Sequence, residues 1–148
     1  MIDIKFLREN PEAVKENIRK KFKEDKLPLV DQVIELYDAK LAALQRGEEL
    51  LANRNKLSKM IGGLMAKGQR EEAEEIKRQV SEQSARLAEA EAREAELAER
   101  IKTILMTLPN IIDPSVPIGK DDSENVEVQR YGEPVVPEFE IPYHVDIM

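Results

Sequence analysis

Apolar positions between Leu29 and Leu108 fall into two long stripes. In the second, Ala73, Ile76, Val80, Gln83, Leu87, Ala90, Glu94, Leu97, Ile101, Ile104 and Leu108 follow one another by alternating steps of three and four, and only Gln83 and Glu94 are polar. Such a repeat puts one narrow apolar seam along a helix and supercoils it left-handedly about a partner. The first stripe supplies that partner. Val30, Ile34, Tyr37, Leu41 and Leu44 share the spacing; beyond Gly47 the stripe moves by one residue and continues through Leu50, Leu57, Ile61 and Leu64. Folded back around Gly68, Val30 meets Leu108, Ile34 meets Ile104, Tyr37 meets Ile101 and Leu41 meets Leu97. Beyond Gly47, Leu50 meets Leu87, Leu57 meets Val80, Ile61 meets Ile76 and Leu64 meets Ala73. The two stripes thus predict an all-α fold, a long antiparallel two-helix coiled-coil hairpin. Each arm is about 55–60 Å long at about 1.5 Å per residue.

The flanks read differently. Residues 1–28 predict a small helical base. Asn10 suits a helix N-cap, Pro11 the first helical position and Glu12 the positive end of the dipole. Val14 and Ile18 form an apolar stripe that Phe22 extends. Ile4, Phe6 and Leu7 precede it, and the root of the hairpin near Val33, Leu36 and Ile104 is the expected partner. Pro28 predicts a break over Lys26 to Pro28. Residues 29–108 form the arm, with its reversal at Lys67-Gly68-Gln69 and Gly68 in the left-handed cap position. Glu71, Glu72, Glu74 and Glu75 favour the start of the returning helix, and Pro109 ends it. Residues 109–148 carry Pro109, Pro114, Pro117, Pro134, Pro137 and Pro142. Val126 and Val128 predict a short strand, Gly132 to Pro134 a turn, and Phe139 and Ile141 a second extended piece. This stretch has the grammar of an extended connector to something larger, and from the abrupt end at Met148 a piece of a longer protein is expected.

Charge changes the picture more than composition does. The 148 residues are 36% charged and 4% aromatic, with a formal net charge of −7, a composition of long helices rather than of a large core. The charge is uneven. Residues 53–78 hold seven basic and four acidic residues, a net of +3, while residues 109–148 carry −7. An acidic chain therefore has a locally basic far end, the footprint of a phosphate-rich partner or, more plainly, a solvated coiled-coil flank. The run Arg19, Lys20, Lys21, Lys23 near the base admits the same two readings. No apolar run approaches the roughly 18–20 residues that cross a bilayer, and residues 1–10 lack the layout of a signal peptide. A cytoplasmic location is expected.

Candidate chemistry is sparse. The chain has no cysteine and one histidine, His144, which excludes most nucleophile–base pairs; His144 in a strand-like segment reads as structural. The six glycines form neither a phosphate loop nor a dinucleotide fingerprint. Asp121, Asp122 and Glu124 lack calcium-loop spacing and read as a solvated acidic turn. No catalytic residue, metal site or cofactor is expected in this chain. The distal outgoing helix is more informative: Asn53, Arg54, Asn55, Lys56, Ser58 and Lys59 are polar and Gly62-Gly63 follow. Two glycines weaken a helix by roughly 2 kcal/mol relative to alanines, which suggests a bend, a surface approached closely by something else, or simple fraying.

Three groups of residues resemble bacterial-type seryl-tRNA synthetases, the serine–tRNA ligases. They are Asp3-Ile-Lys-Phe-Leu-Arg-Glu-Asn-Pro-Glu-Ala-Val with Glu16-Asn-Ile-Arg-Lys; Arg54-Asn-Lys-Leu-Ser-Lys-Met-Ile-Gly; and Leu108-Pro-Asn-Ile through Asp113-Pro-Ser-Val-Pro-Ile-Gly-Lys-Asp, Asn125-Val-Glu-Val, Arg130-Tyr-Gly-Glu-Pro and His144-Val-Asp-Ile. Ile112 and Tyr131 depart from a common proline and tryptophan. The resemblance implies an N-terminal arm that binds tRNA for serine through its long variable arm and TΨC side. It implies a homodimeric parent enzyme whose class II catalytic body, with ATP and magnesium, lies beyond position 148. Neither a membrane nor DNA is an expected partner. Arg54, Asn55, Lys56, Ser58, Lys59, Lys67, Arg70 and Lys77 are the expected tRNA-binding residues, with Arg78 extending the basic surface. Arg54 and Asn55 also border the seam near Gln83, where a buried polar layer fixing register is the competing role. A coiled-coil protein-interaction module with no RNA role is the alternative for the whole chain.

Overall fold

The computed structural model describes residues 1–133 and 135–147. The chain divides into two compact units, Met1–Ile118 and Gly119–Met148, which are taken separately.

In the first unit, α1 (Ile4–Glu9) and α2 (Pro11–Lys20) form the base, α3 (Leu27–Ala66) runs outward and α4 (Arg70–Thr107) returns. Asp3 caps α1, its carboxylate accepting from the N–H groups of Lys5 and Phe6. Asn10 stands before α2 but makes no side-chain cap. Its amide donates instead to the Phe6 carbonyl of α1, so the expected capping role is not seen. Pro28 does not break the chain as its spacing predicts. It lies in the first turn of α3, where a missing N–H forfeits no helical bond. Leu108 closes α4 with ψ 136°, the extended backbone that a following proline favours.

The hairpin is antiparallel, but its seam differs from the expected one on the proximal half of α3. From Val33 outward the buried and half-buried positions include Leu36, Lys40, Ala43, Gly47, Leu50, Arg54, Leu57, Ile61 and Leu64. Their steps alternate three and four without a shift at Gly47. Leu41 and Leu44, assigned to the seam from the apolar pattern, are 40% and 42% exposed. The facing positions are therefore Leu36 with Ile101 and Val33 with Ile104; Tyr37 and Ile34 flank them, half-buried against the base. Lys40 and Gly47 hold seam positions for different reasons. The Lys40 stem lies along the seam while its ammonium reaches the Glu94 carboxylate at 3.5 Å. At Gly47 a Cβ would lie 3.8 Å from Leu87 Cδ1, ordinary contact, so alanine would fit there.

The reversal is a Schellman motif. Gly68 has φ +75°, its N–H donates to the Met65 carbonyl at 3.1 Å, and the Gln69 N–H donates to the Leu64 carbonyl at 3.0 Å. Glu71 and Glu72 occupy the first turn of α4, where the dipole favours them.

The core lies at the root. Leu7, Val14, Ile18, Val30, Val33 and Leu97 are fully buried, and Ile101, Leu105 and Leu108 are buried beside them. Each such side chain stabilises the unit by about 1.5–3 kcal/mol relative to exposure. Two ion pairs join base to arm: Arg8 to Asp38 at 2.9 Å and Lys15 to Asp31 at 2.8 Å. The hydrogen bond to Asp31 raises the Lys15 pKa, so that pair adds stability below the ordinary lysine pKa and loses it as the pH climbs through the raised value. Asn17, 5% exposed, clamps the chain after α4. Its amide donates to the Asn110 carbonyl at 3.2 Å and its oxygen accepts from the Ile112 N–H at 2.8 Å. Phe22 departs from expectation: it leaves the apolar stripe, with φ +54° and 47% exposure.

In the second unit the described residues form a 3₁₀ turn at Asp122–Glu124 and a one-turn helix, α5 (His144–Ile147), but no strand. The strands expected around Val126 and Val128 and around Phe139 and Ile141 are absent among the described residues, because extended segments need a ladder partner to be strands. His144 begins a helical turn rather than sitting in a strand. The expected turn ending at Pro134 lies partly outside the described residues. Asp121 accepts from the Ser123 N–H and hydroxyl, the same device as Asp113 with Ser115, and both carboxyl pKa values are lowered by those bonds. No described helix is long and apolar enough to cross a membrane.

Two stability outcomes follow. Gly68→Ala places a Cβ on left-handed backbone and lowers stability by about 1–2 kcal/mol, seen as a lower midpoint in chemical denaturation. Asn17→Leu removes two part-buried hydrogen bonds and costs about 1–3 kcal/mol, measurable in the same titration.

Candidate nucleic-acid interface

Between Asn53 and Arg70 the chain contains Arg54, Lys56, Lys59, Lys67 and Arg70 and no Asp or Glu. These residues make up the last part of α3, the reversal and the first residue of α4. Acidic residues resume at Glu71, on α4. The cationic surface is thus carried by the end of α3, the turn and the first residue of α4. The opposite helix places Glu71, Glu74 and Glu75 beside Arg70 and Arg78 in a shallow open groove.

The expected contact residues sort by what they already touch. Lys56, Lys59, Lys67 and Arg70 are exposed and have no carboxylate within ion-pair distance among the described residues. Their ammonium and guanidinium groups face solvent uncommitted. Lys77 is paired with Glu74 one turn back on its own helix, and Arg78 with Glu75 at 2.7 Å. The Arg78 bond holds the Glu75 carboxyl below its usual range. These two cations are partly neutralised before any ligand arrives. The Ser58 hydroxyl donates to the Arg54 carbonyl at 2.8 Å and keeps its lone pairs for an incoming donor. Asn55 is exposed, and its oxygen accepts a 3.4 Å bond from Arg54.

Arg54 itself stands apart. It is half-buried at a seam position that the continuous register sets opposite Gln83. The Gln83 Oε1 is buried without a hydrogen-bond partner among the described residues, and an unsatisfied buried acceptor costs about 1–3 kcal/mol. The neighbouring Asn55 points outward and is no part of such a layer.

Gly62 and Gly63 lie inside continuous helix, and a Cβ at either would meet nothing within 4 Å. Internal packing therefore does not require them. They leave a low, bare strip of α3 next to Lys59, flanked by exposed Met60 and Met65.

The apolar period does not separate committed from uncommitted cations. A signal was nevertheless present: Lys77 and Arg78 follow Glu74 and Glu75 by three residues, the spacing of on-helix ion pairs, whereas Lys56 and Lys59 have no acidic residue within four positions.

Comparison with known proteins adds a separate line of observation. Residues 1–112 match the model of the seryl-tRNA synthetase N-terminal domain. The serine–tRNA ligase of Dechloromonas aromatica is 43% identical over 148 residues, 99% of this chain and 33% of the relative. That of Methanocella arvoryzae is 41% identical over 150 residues, 97% of this chain and 33% of the relative. Among solved structures, seryl-tRNA synthetase from Pyrococcus horikoshii complexed with ATP matches with a TM-score of 0.80 and 37% identity, over 89% of this chain and 29% of that one. The chain spans about a third of the length of the relatives it matches. It belongs to the seryl-tRNA synthetase N-terminal domain family.

Proposed function

We propose that this member of the seryl-tRNA synthetase N-terminal domain family is an arm that binds tRNA for serine, presenting the outer part of α3 and the reversal to the RNA. The observation that carries this reading is the run from Asn53 to Arg70, cationic and free of acidic residues, which begins on an α-helix of 40 residues and continues through the reversal. A rod of that kind lies along A-form RNA and reads its shape through phosphate and 2′-OH groups rather than base edges. A long variable arm offers such a duplex, and the TΨC side is the second surface within reach.

Lys56, Lys59, Lys67 and Arg70 supply the phosphate contacts, since none of them is held in an ion pair among the described residues. Lys77 joins them only by giving up Glu74. Asn55 and Ser58 add neutral hydrogen bonds. Arg54 contributes from the edge of the seam. The bare strip at Gly62 and Gly63 lets a ribose-phosphate backbone come closer to the helix axis than side chains would permit.

In this reading residues 1–28 are the base, residues 29–108 the arm, and residues 109–148 the connector toward a class II catalytic body. The body attaches serine to the tRNA with ATP and magnesium, acts as a homodimer, and works in the cytoplasm. Support for a connector comes from its apolar side chains: Val128 is 84% exposed and Tyr131 fully exposed, as expected of residues that pack against a neighbouring structure. This arm supplies position, and the chemistry belongs to the body.

Changing both Lys59 and Arg70 to alanine weakens binding to tRNA for serine and flattens the salt dependence by about 0.7–0.9 in slope for each phosphate no longer neutralised. Filter binding at several salt concentrations reads this, with a tRNA of short variable arm as the control. An unchanged slope removes both residues from the interface. Gly62→Ala with Gly63→Ala raises stability by about 0.8–1 kcal/mol per site while lowering tRNA affinity. A gain in stability with affinity intact shows that the RNA does not press on that strip.

A further inference from the structure

The two helices that end before a turn in the first unit use the same cap with different residues. At the end of α3 the left-handed position is Gly68. At the end of α2 it is Phe22, with φ +54°; its N–H donates to the Arg19 carbonyl at 2.9 Å and the Lys23 N–H to the Ile18 carbonyl at 3.1 Å. A bulky side chain on left-handed backbone is strained where glycine is not. Phe22 is 47% exposed and outside the core cluster, so no core packing accounts for that conformation. The fold thus keeps a half-exposed aromatic residue at a position whose backbone suits glycine.

Along the chain the ring stands among cations. Lys20, Lys21 and Lys23 surround it in sequence, and none has a carboxylate within ion-pair distance among the described residues. Arg19 is held by Glu16 at 3.3 Å, and Glu24 and Asp25 follow in a 3₁₀ turn. Among the described residues the only cation stacked on an aromatic ring is Arg8 over Tyr37, 4.8 Å from its centroid. The faces of Phe22 are therefore not taken by this chain's own cations. An open aromatic face flanked by uncommitted lysines is the combination that binds single-stranded nucleic acid, the base stacking and the phosphates pairing.

We propose that Phe22, with Lys20, Lys21 and Lys23, is a second RNA-binding site that stacks one unpaired base and holds its flanking phosphates. It lies at the base of the arm, separated from the outer end by the length of α3, about 60 Å at about 1.5 Å per residue. It does not depend on the reading of the outer end. A docked protein surface is the competing occupant of the same ring, and the lysines favour the polyanion.

The test uses the full chain and a single-stranded oligoadenylate as probe. Phe22→Gly relieves the backbone and removes the ring. The expected result is a higher melting temperature with about tenfold weaker binding of the probe, within the usual effect of losing one base–aromatic stack. Unchanged probe affinity overturns the proposal and leaves the ring to a protein partner. The chain contains no tryptophan, so Phe22→Trp gives a single reporter, whose fluorescence the oligoadenylate should quench saturably and less at high salt. No quenching overturns the site. The quenching should survive Lys59→Ala with Arg70→Ala in the same chain; its loss there assigns the binding to the outer end and overturns a separate site.

Discussion

Everything distinctive about the arm depends on one seam that never changes phase. A two-helix hairpin has no interior beyond the line where its helices meet, so each position on that line carries a large share of the stability. Steps of three and four hold the line on one face of each helix only if they continue unbroken. They do so from Val33 to Leu64 by admitting Lys40, Gly47 and Arg54. The seam tolerates these because each meets its partner differently. Lys40 lies along it and ends on Glu94, Gly47 faces the Leu87 side chain, and Arg54 stands opposite a glutamine.

That economy explains how the charge is arranged. With so little surface buried, most side chains face solvent, and their neighbours decide what they are free to do. On the returning helix, glutamates three residues before Lys77 and Arg78 quench them. On the outgoing helix and the turn no such glutamate exists, and the cations stay available. A chain with a net charge of −7 thereby keeps a positive end without changing its overall balance. The base works by the opposite logic. Arg8 and Lys15 are committed to Asp38 and Asp31, and with Asn17 they fix the root so that the arm leaves it in one direction.

Two Schellman caps show what a sequence states openly and what it conceals. Gly68 announces its backbone, because glycine between two periodic stretches has few other uses. Phe22 conceals it. Read by period it continues the stripe of Val14 and Ile18, and only the fold reveals that the helix has ended two residues earlier, at Lys20, and turned the ring outward.

The hairpin, its reversal and its cationic end are determined by the sequence itself, since apolar period, a turn glycine and runs of like charge are local properties that need no neighbour to be defined. The phase of the proximal seam is not. Leu41 and Leu44 are as apolar as Leu36, and the choice among them is made by which face α4 and the base cover together. The pairing of Asn17 with backbone more than ninety residues away, the absence of a ladder partner for Val126 and Val128, and the exposure of Phe22 belong to the same class. Each depends on what lies across from the residue in space, and tertiary structure alone supplies that.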